Sequence, residues 1–211
     1  MTSLTKLMAT GALAVIMTAG LAEAATLSLD TTGSANVNLD ATFNPTPSVS
    51  GIGPGDAVTN YSGLSFAGGL LVSGPAKITF TYLGKEAGYS NSAVSLVPGG
   101  GTLSDLVAGA SITFDQLVGG LVPFSFKTTG DDGKWITNGW GSNSTALDMA
   151  FMMISSTSYF ALFGDGGGGN DDDLDDMVIR IDVAPIPLPA GGLLLIGALG
   201  GLAALRRRKS A

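Results

Sequence analysis

A chain of 211 residues, 45% of them apolar, has material for one folded domain with appendages, yet only 13% are charged, about half the usual share. With neither cysteine nor histidine it can form no disulfide, no thiolate metal site and no Ser–His or Cys–His catalytic pair, and it lacks the commonest general base. Its 32 glycines, with frequent serine and threonine, fit an all-β, turn-rich secreted protein better than a cytosolic enzyme.

In chain order, residues 1–24 read as a secretory signal peptide. Lys6 supplies the positive start, Leu7 to Leu21 is apolar, and Ala22-Glu23-Ala24 forms a small-residue cleavage site. Residues 25–184 form the folded domain. They hold all but one of the 17 acidic residues and five of the 10 basic ones, Lys77, Lys85, Lys127, Lys134 and Arg180. The basic residues make no patch, which argues against nucleic-acid binding, and the acidity attracts cations.

Strand patterns recur between turn residues. SANVNLDATF (34–43) alternates, and AKITFTYLG (76–84) sets Ile78, Phe80 and Tyr82 against Lys77, Thr79 and Thr81. GTLSDLVAGA (101–110) suits a short helix. SITFDQL (111–117) and LVPFSFKTT (121–129) flank a turn at Gly119 and Gly120, with Pro123 at an edge or a strand start. TALDMAFMMIS (145–155) and SYFALFG (158–164) read as a hairpin, although Leu, Met and Ala in the first would also suit a helix. DMVIRIDVA (176–184) is the last strand. The expectation is a single all-β sandwich of about seven to ten strands, jelly-roll-like, flanked by an N-terminal signal helix and a C-terminal transmembrane helix. Phe80, Tyr82, Phe124, Phe126, Phe151, Tyr159 and Phe163 are its expected core.

Trp135 and Trp140 lie in the glycine- and asparagine-rich GKWITNGWGSN. They either cap the end of the barrel or form a platform for sugar rings, since indole faces suit apolar CH groups.

The stretch from Gly164 to Asp176 puts four consecutive glycines ahead of a crowd of aspartates. Crowded carboxylates resist joint ionisation, and a hard cation removes the conflict. Calcium takes about six to eight oxygen ligands from carboxylates, carbonyls and water. Asp171, Asp173 and Asp175 match the first positions of an EF-hand loop, but Asp176 stands where that loop needs glycine and a β-type run replaces its exiting helix. A single partial match to a calcium-binding nonapeptide is also set aside, because an array is needed. FALFGDGGGGNDDDLDDMVIRIDV instead resembles the final hairpin of secreted bacterial β-sandwich domains. There a strand ends in an acidic pair, a glycine-rich loop follows, and a DxDxxD cluster opens the last strand. Asp171, Asp173 and Asp176 fall on that pattern and Asp165 on the second acidic position; Gly164 occupies the first. YLGKEAGYSN (82–91) resembles an element that accompanies this hairpin, which implies that Glu86 and Asn91 approach the loop. The resemblance implies a structural calcium ion held by Asp165, Asp171, Asp173, Asp176 and Glu86, and no particular activity. The alternative is a solvated acidic loop.

Residues 185–211 form the tail. From Ile186 to Leu205 there is no charge, which suits a bilayer core about 30 Å thick, and Arg206, Arg207, Arg208 and Lys209 follow as a cytoplasmic anchor. Pro187, Leu188, Pro189 and Ala190, the apolar stretch and the basic end together resemble a PEP-CTERM sorting tail of the VPLPA type, with Ile186 in the valine position. In that family a membrane protease, an exosortase, recognises the tail and processes the protein.

These features imply a non-catalytic surface or matrix protein, exported through the inner membrane, transiently anchored, and left at the cell surface or outside the cell. A carbohydrate-binding module of the exopolysaccharide layer is the alternative. A glycoside hydrolase would have only carboxylates for acid and base, with Glu86 the sole glutamate of the domain.

Overall fold

The computed structural model describes residues 24–86, 88–129, 133–166 and 173–186, together with Gly200. The signal peptide, the sorting motif and the basic end therefore lie outside the described residues. Among the described residues no helix is long and apolar enough to cross a membrane.

The described chain is all-β, in three antiparallel sheets. The largest has the strand order β2 (Ser34–Asn38), β3 (Ala57–Ser62), β13 (Asp148–Ser155), β14 (Ser158–Gly164), β15 (Met177–Pro185), β5 (Ala76–Gly84) and β8 (Ser111–Gln116). A second has β12 (Gly141–Ser142), β11 (Trp135–Thr137), β10 (Phe124–Thr128), β6 (Asn91–Ser95) and β7 (Thr102–Ser104). The third is β1 (Leu27–Asp30), β4 (Gly69–Val72) and β9 (Gly120–Leu121).

One face of the seven-stranded sheet packs against both smaller sheets. The main core joins Phe80, Phe151, Phe163 and Ile181 of the large sheet to Leu27, Leu70 and Val72 of the third and to Phe124, Phe126 and Ile136 of the second. Aromatic rings cross the layers: Phe80 meets Phe124 edge-on at 5.2 Å between centroids, and Phe126 stacks on Phe163 at 5.0 Å. Every expected core aromatic is buried. Each contributes about 1.5–3 kcal/mol through area removed from water.

The other face of the large sheet is covered as well. The connection between β2 and β3 crosses it, and Leu39, Phe43 and Ile52 pack on Val58, Ala150, Phe160, Leu162 and Val178. This explains the unbroken apolar run of β14, SYFALFG, all of it buried. A strand with cover on both faces has no reason to alternate, whereas β5 keeps its lysine and threonines to one side.

The expected strands over 76–84, 111–117, 158–164 and 176–184 correspond to β5, β8, β14 and β15. TALDMAFMMIS is a strand from Asp148, not a helix. The short helix expected over 101–110 is not present: β7 is followed by turns. Leu103 is buried against the core, and the Asp105 carboxylate accepts the Asn91 backbone N–H at 2.7 Å, which holds the segment on β6. Pro123 lies between β9 and β10, where no ladder bond is needed from it.

Candidate cation site

The acidic residues gather where β14 ends and β15 begins. Gly166, directly after Asp165, has φ +69°, and a Cβ there would stand 2.3 Å from the Ala146 carbonyl oxygen, so the first glycine of the run is required by space and by backbone. On the return, Leu174 is in the left-handed region at φ 67°. Leucine seldom adopts that conformation, and here its buried side chain packs with Leu39, Phe43 and Val178. The hydrophobic contact holds the turn that brings the carboxyl groups of Asp173 and Asp175 into hydrogen-bonding range.

Two polar groups result. In the first, the Asp165 N–H donates to Asp176 Oδ2 at 2.6 Å, and Asn91 Nδ2 donates both to Asp165 Oδ2 at 2.9 Å and to the Asp176 carbonyl at 3.0 Å. In the second, the Asn44 N–H donates to Asp175 Oδ2, the Glu86 N–H donates to the Asp175 carbonyl at 2.9 Å, and the Thr42 hydroxyl lies 2.9 Å from Asp173 Oδ2. That hydroxyl has a single proton and also faces Asp40 Oδ1. One donor thus serves two carboxylates.

Asp165, Asp173, Asp175 and Asp176 are all buried. Among the described residues no lysine or arginine pairs with Asp165, Asp173 or Asp175; Lys85, the nearest in sequence to the EAGY element, pairs with Asp105 at 2.7 Å instead. Burial, above all, pushes Asp175 up to about 8, and the hydrogen bond with Asp173 adds to it; the Asn44 N–H opposes, and the charges of Asp173 and Glu86 raise it further. Among the described residues one oxygen of Asp165 and Oδ1 of Asn91 are buried with no hydrogen-bond donor, and one oxygen on each of Asp173 and Asp175 has none beyond the proton that the two share. Leaving such atoms unmatched costs about 1–3 kcal/mol each.

Of the residues picked out from sequence, Asp165, Asp173 and Asp176 are at this site and Asp171 lies outside the described residues. Glu86 is exposed, its charge is felt at Asp175, and its backbone N–H donates to the Asp175 carbonyl. The sequence pattern passes over Asp175, Thr42 and Asn44. Asp175 is off the DxDxxD positions, and the two partners come from 131 residues away, so only the alternation of aspartates at 171, 173 and 175 pointed toward it. A polar recess of about 240 Å³, lined by Asn38, Asp40, Asn60, Asp148 and Asp173, opens the second group to solvent.

The donor set is all oxygen, as a hard cation requires. Among the described residues no three acidic side chains converge on one point. The fit therefore rests on the donor-less buried oxygens and on their chemistry.

The two tryptophans are parted in role. Trp135 is half-buried on β11, its N–H bonded to Asn143 Oδ1 at 2.7 Å, while Trp140, in the turn before β12, is 73% exposed.

Compared with known proteins, the chain matches no family, no curated protein and no solved structure.

Proposed function

We propose that this chain is an exported, non-catalytic cell-surface or extracellular-matrix protein: a jelly-roll-like sandwich closed at its last hairpin by calcium, delivered by a signal peptide and held by a sorting tail until processed by an exosortase-type protease. The observation that carries the calcium reading is the set of buried oxygens on Asp165, Asp173, Asp175 and Asn91 that, among the described residues, have no donor beyond the proton shared by Asp173 and Asp175 and no lysine or arginine beside the three aspartates. A divalent ion at either group would satisfy its oxygens, and at the second it would displace the proton held on Asp175. Asp171, which the sequence pattern adds to the set, lies outside the described residues. The absence of histidine and cysteine supports a structural over a catalytic role.

The test is calorimetric. Millimolar calcium chloride is expected to raise the melting temperature, and sodium chloride of equal ionic strength is not. At ten times the Kd the gain is about 1.4 kcal/mol. An equal rise in the Asp171→Ala, Asp173→Ala double variant would sink the reading.

One observation favours a second role, the exposure of Trp140. A large exposed indole beside Ser142, Asn143 and Ser144 suits stacking on a sugar ring of an exopolysaccharide. Glycan-array binding lost in Trp140→Ala supports this role; binding retained in that variant, or none in the parent, removes it.

A further inference from the structure

We propose that the end of the domain from which residues 24 and 186 leave is a lipid-facing surface, with Leu117, Val118, Met153 and Ile154 seated in the headgroup layer of the bilayer. The proposal rests on reading 186–205 as membrane-spanning and goes beyond it by assigning a face and an orientation to the folded domain.

Strand register fixes that end. Pro185 closes β15 opposite Ala76, the first residue of β5, and Ala76 faces Gln116, the last of β8. On the other side of β15, Asp182 faces Ser158, which faces Ser155 across the β13–β14 turn. The Leu27 N–H donates to the Ser156 carbonyl at 2.6 Å and the Val183 N–H to that of Thr157 at 2.9 Å, so the first strand arrives at the same place. The β8–β9 connection and the β13–β14 turn therefore flank the point where the chain passes Ile186.

Both flanking segments present large apolar side chains to solvent: Leu117 is 72% exposed, Val118 71%, Met153 62% and Ile154 46%. Large apolar side chains are exposed elsewhere too, among them Leu64, Leu106 and Val107, but these four flank the chain exit, and the length of the tail selects their partner. About 20 residues are needed to cross the hydrocarbon core, and the uncharged stretch has no more than that, starting at Ile186. On that reading few residues are left over as a spacer after Pro185, which would keep this end near the headgroups. Interfacial binding grows with the apolar area inserted.

Charge agrees with this orientation. At this end Lys77 pairs with Asp115 at 2.8 Å and Arg180 with Asp182 at 2.7 Å, leaving little net charge. The buried aspartates lie at the opposite end, beyond Gly84 and Gly164, away from anionic lipid. Leu106 and Val107 are also exposed there, beside Asp105, and give an internal control of similar hydrophobicity.

The chain has no cysteine, so single cysteines can be labelled uniquely. Full-length protein carrying Val118→Cys, Ile154→Cys, Leu106→Cys or Leu194→Cys, each bearing an environment-sensitive fluorophore, is reconstituted in phosphatidylcholine–phosphatidylglycerol vesicles. Expected are blue-shifted emission, quenching by brominated acyl chains and several-fold lower iodide accessibility at 118 and 154, with 106 fully aqueous. Labels at 118 and 154 as aqueous as at 106, with 194 quenched by lipid, would overturn the docking while leaving the membrane-spanning tail in place. An unquenched label at 194 would overturn both.

Discussion

Asp175 is fully buried, with the carboxyl of Asp173 as a hydrogen-bonding neighbour. The folded protein keeps its proton up to about pH 8, whereas an unfolded aspartate loses it near 3.8. Between those values the folded state binds the extra proton, so the contribution of Asp175 to the stability of the cation-free protein falls as pH rises. The slope is at most about 1.4 kcal/mol per pH unit, and it disappears above the folded value. Denaturant midpoints measured in chelator across this range should show the decline, and Asp175→Asn should flatten it. Calcium bound as proposed would reverse the sign, since a ligand that displaces a proton binds better as pH rises. The groups facing Asp175 are the carboxylates of Asp173 and Glu86 and the Asn44 N–H, and none of them supplies a positive counter-charge.

Between elements, the three-stranded and five-stranded sheets are joined by one buried side chain. Asn138 Oδ1 accepts the Leu70 N–H at 2.8 Å, while Nδ2 donates to the Leu70 carbonyl at 2.9 Å and the Val122 carbonyl at 2.8 Å. Gly69 makes room for it, since a Cβ there would lie 2.2 Å from Asn138 Oδ1. Asn138→Ala leaves buried backbone groups of β4 and its neighbour unpaired, and a loss of about 2–4 kcal/mol is expected in chemical denaturation. A loss below about 1 kcal/mol would mean that water replaces the amide. This clip also shows why a two-layer sandwich was easier to read from sequence than three sheets. The alternation of β5 and the apolar runs of β14 and β15 are visible locally. Strands such as GLLV and NSAVS carry no period; they exist because distant partners pair with them, and nothing in NGW announces that its asparagine joins two sheets. The acidic site was legible in the same partial way. Asp165, Asp173 and Asp176 stood out by crowding, but the burial of Asp175 is imposed by Thr42, Phe43 and Asn44, laid over it by the β2–β3 connection.

Taken whole, the domain is polar along its strands. One end has both points of chain exit, flanked by exposed Leu117, Val118, Met153 and Ile154, and the other has the buried aspartates. Calcium at the second and lipid at the first would act on opposite ends of β14 and β15 and so would not compete for space. β15 is also the strand that continues into the tail, and it is no edge: it lies between β14 and β5, paired from Met177 to Asp182 with the first and from Val178 to Pro185 with the second. Tension drawn through Ile186 therefore runs lengthwise down a doubly held strand. Its ladder bonds would have to slide and rupture together, not peel one by one, which is the geometry that resists pulling best. Were the molecule tethered by that strand as proposed, this arrangement would suit it to bear drag.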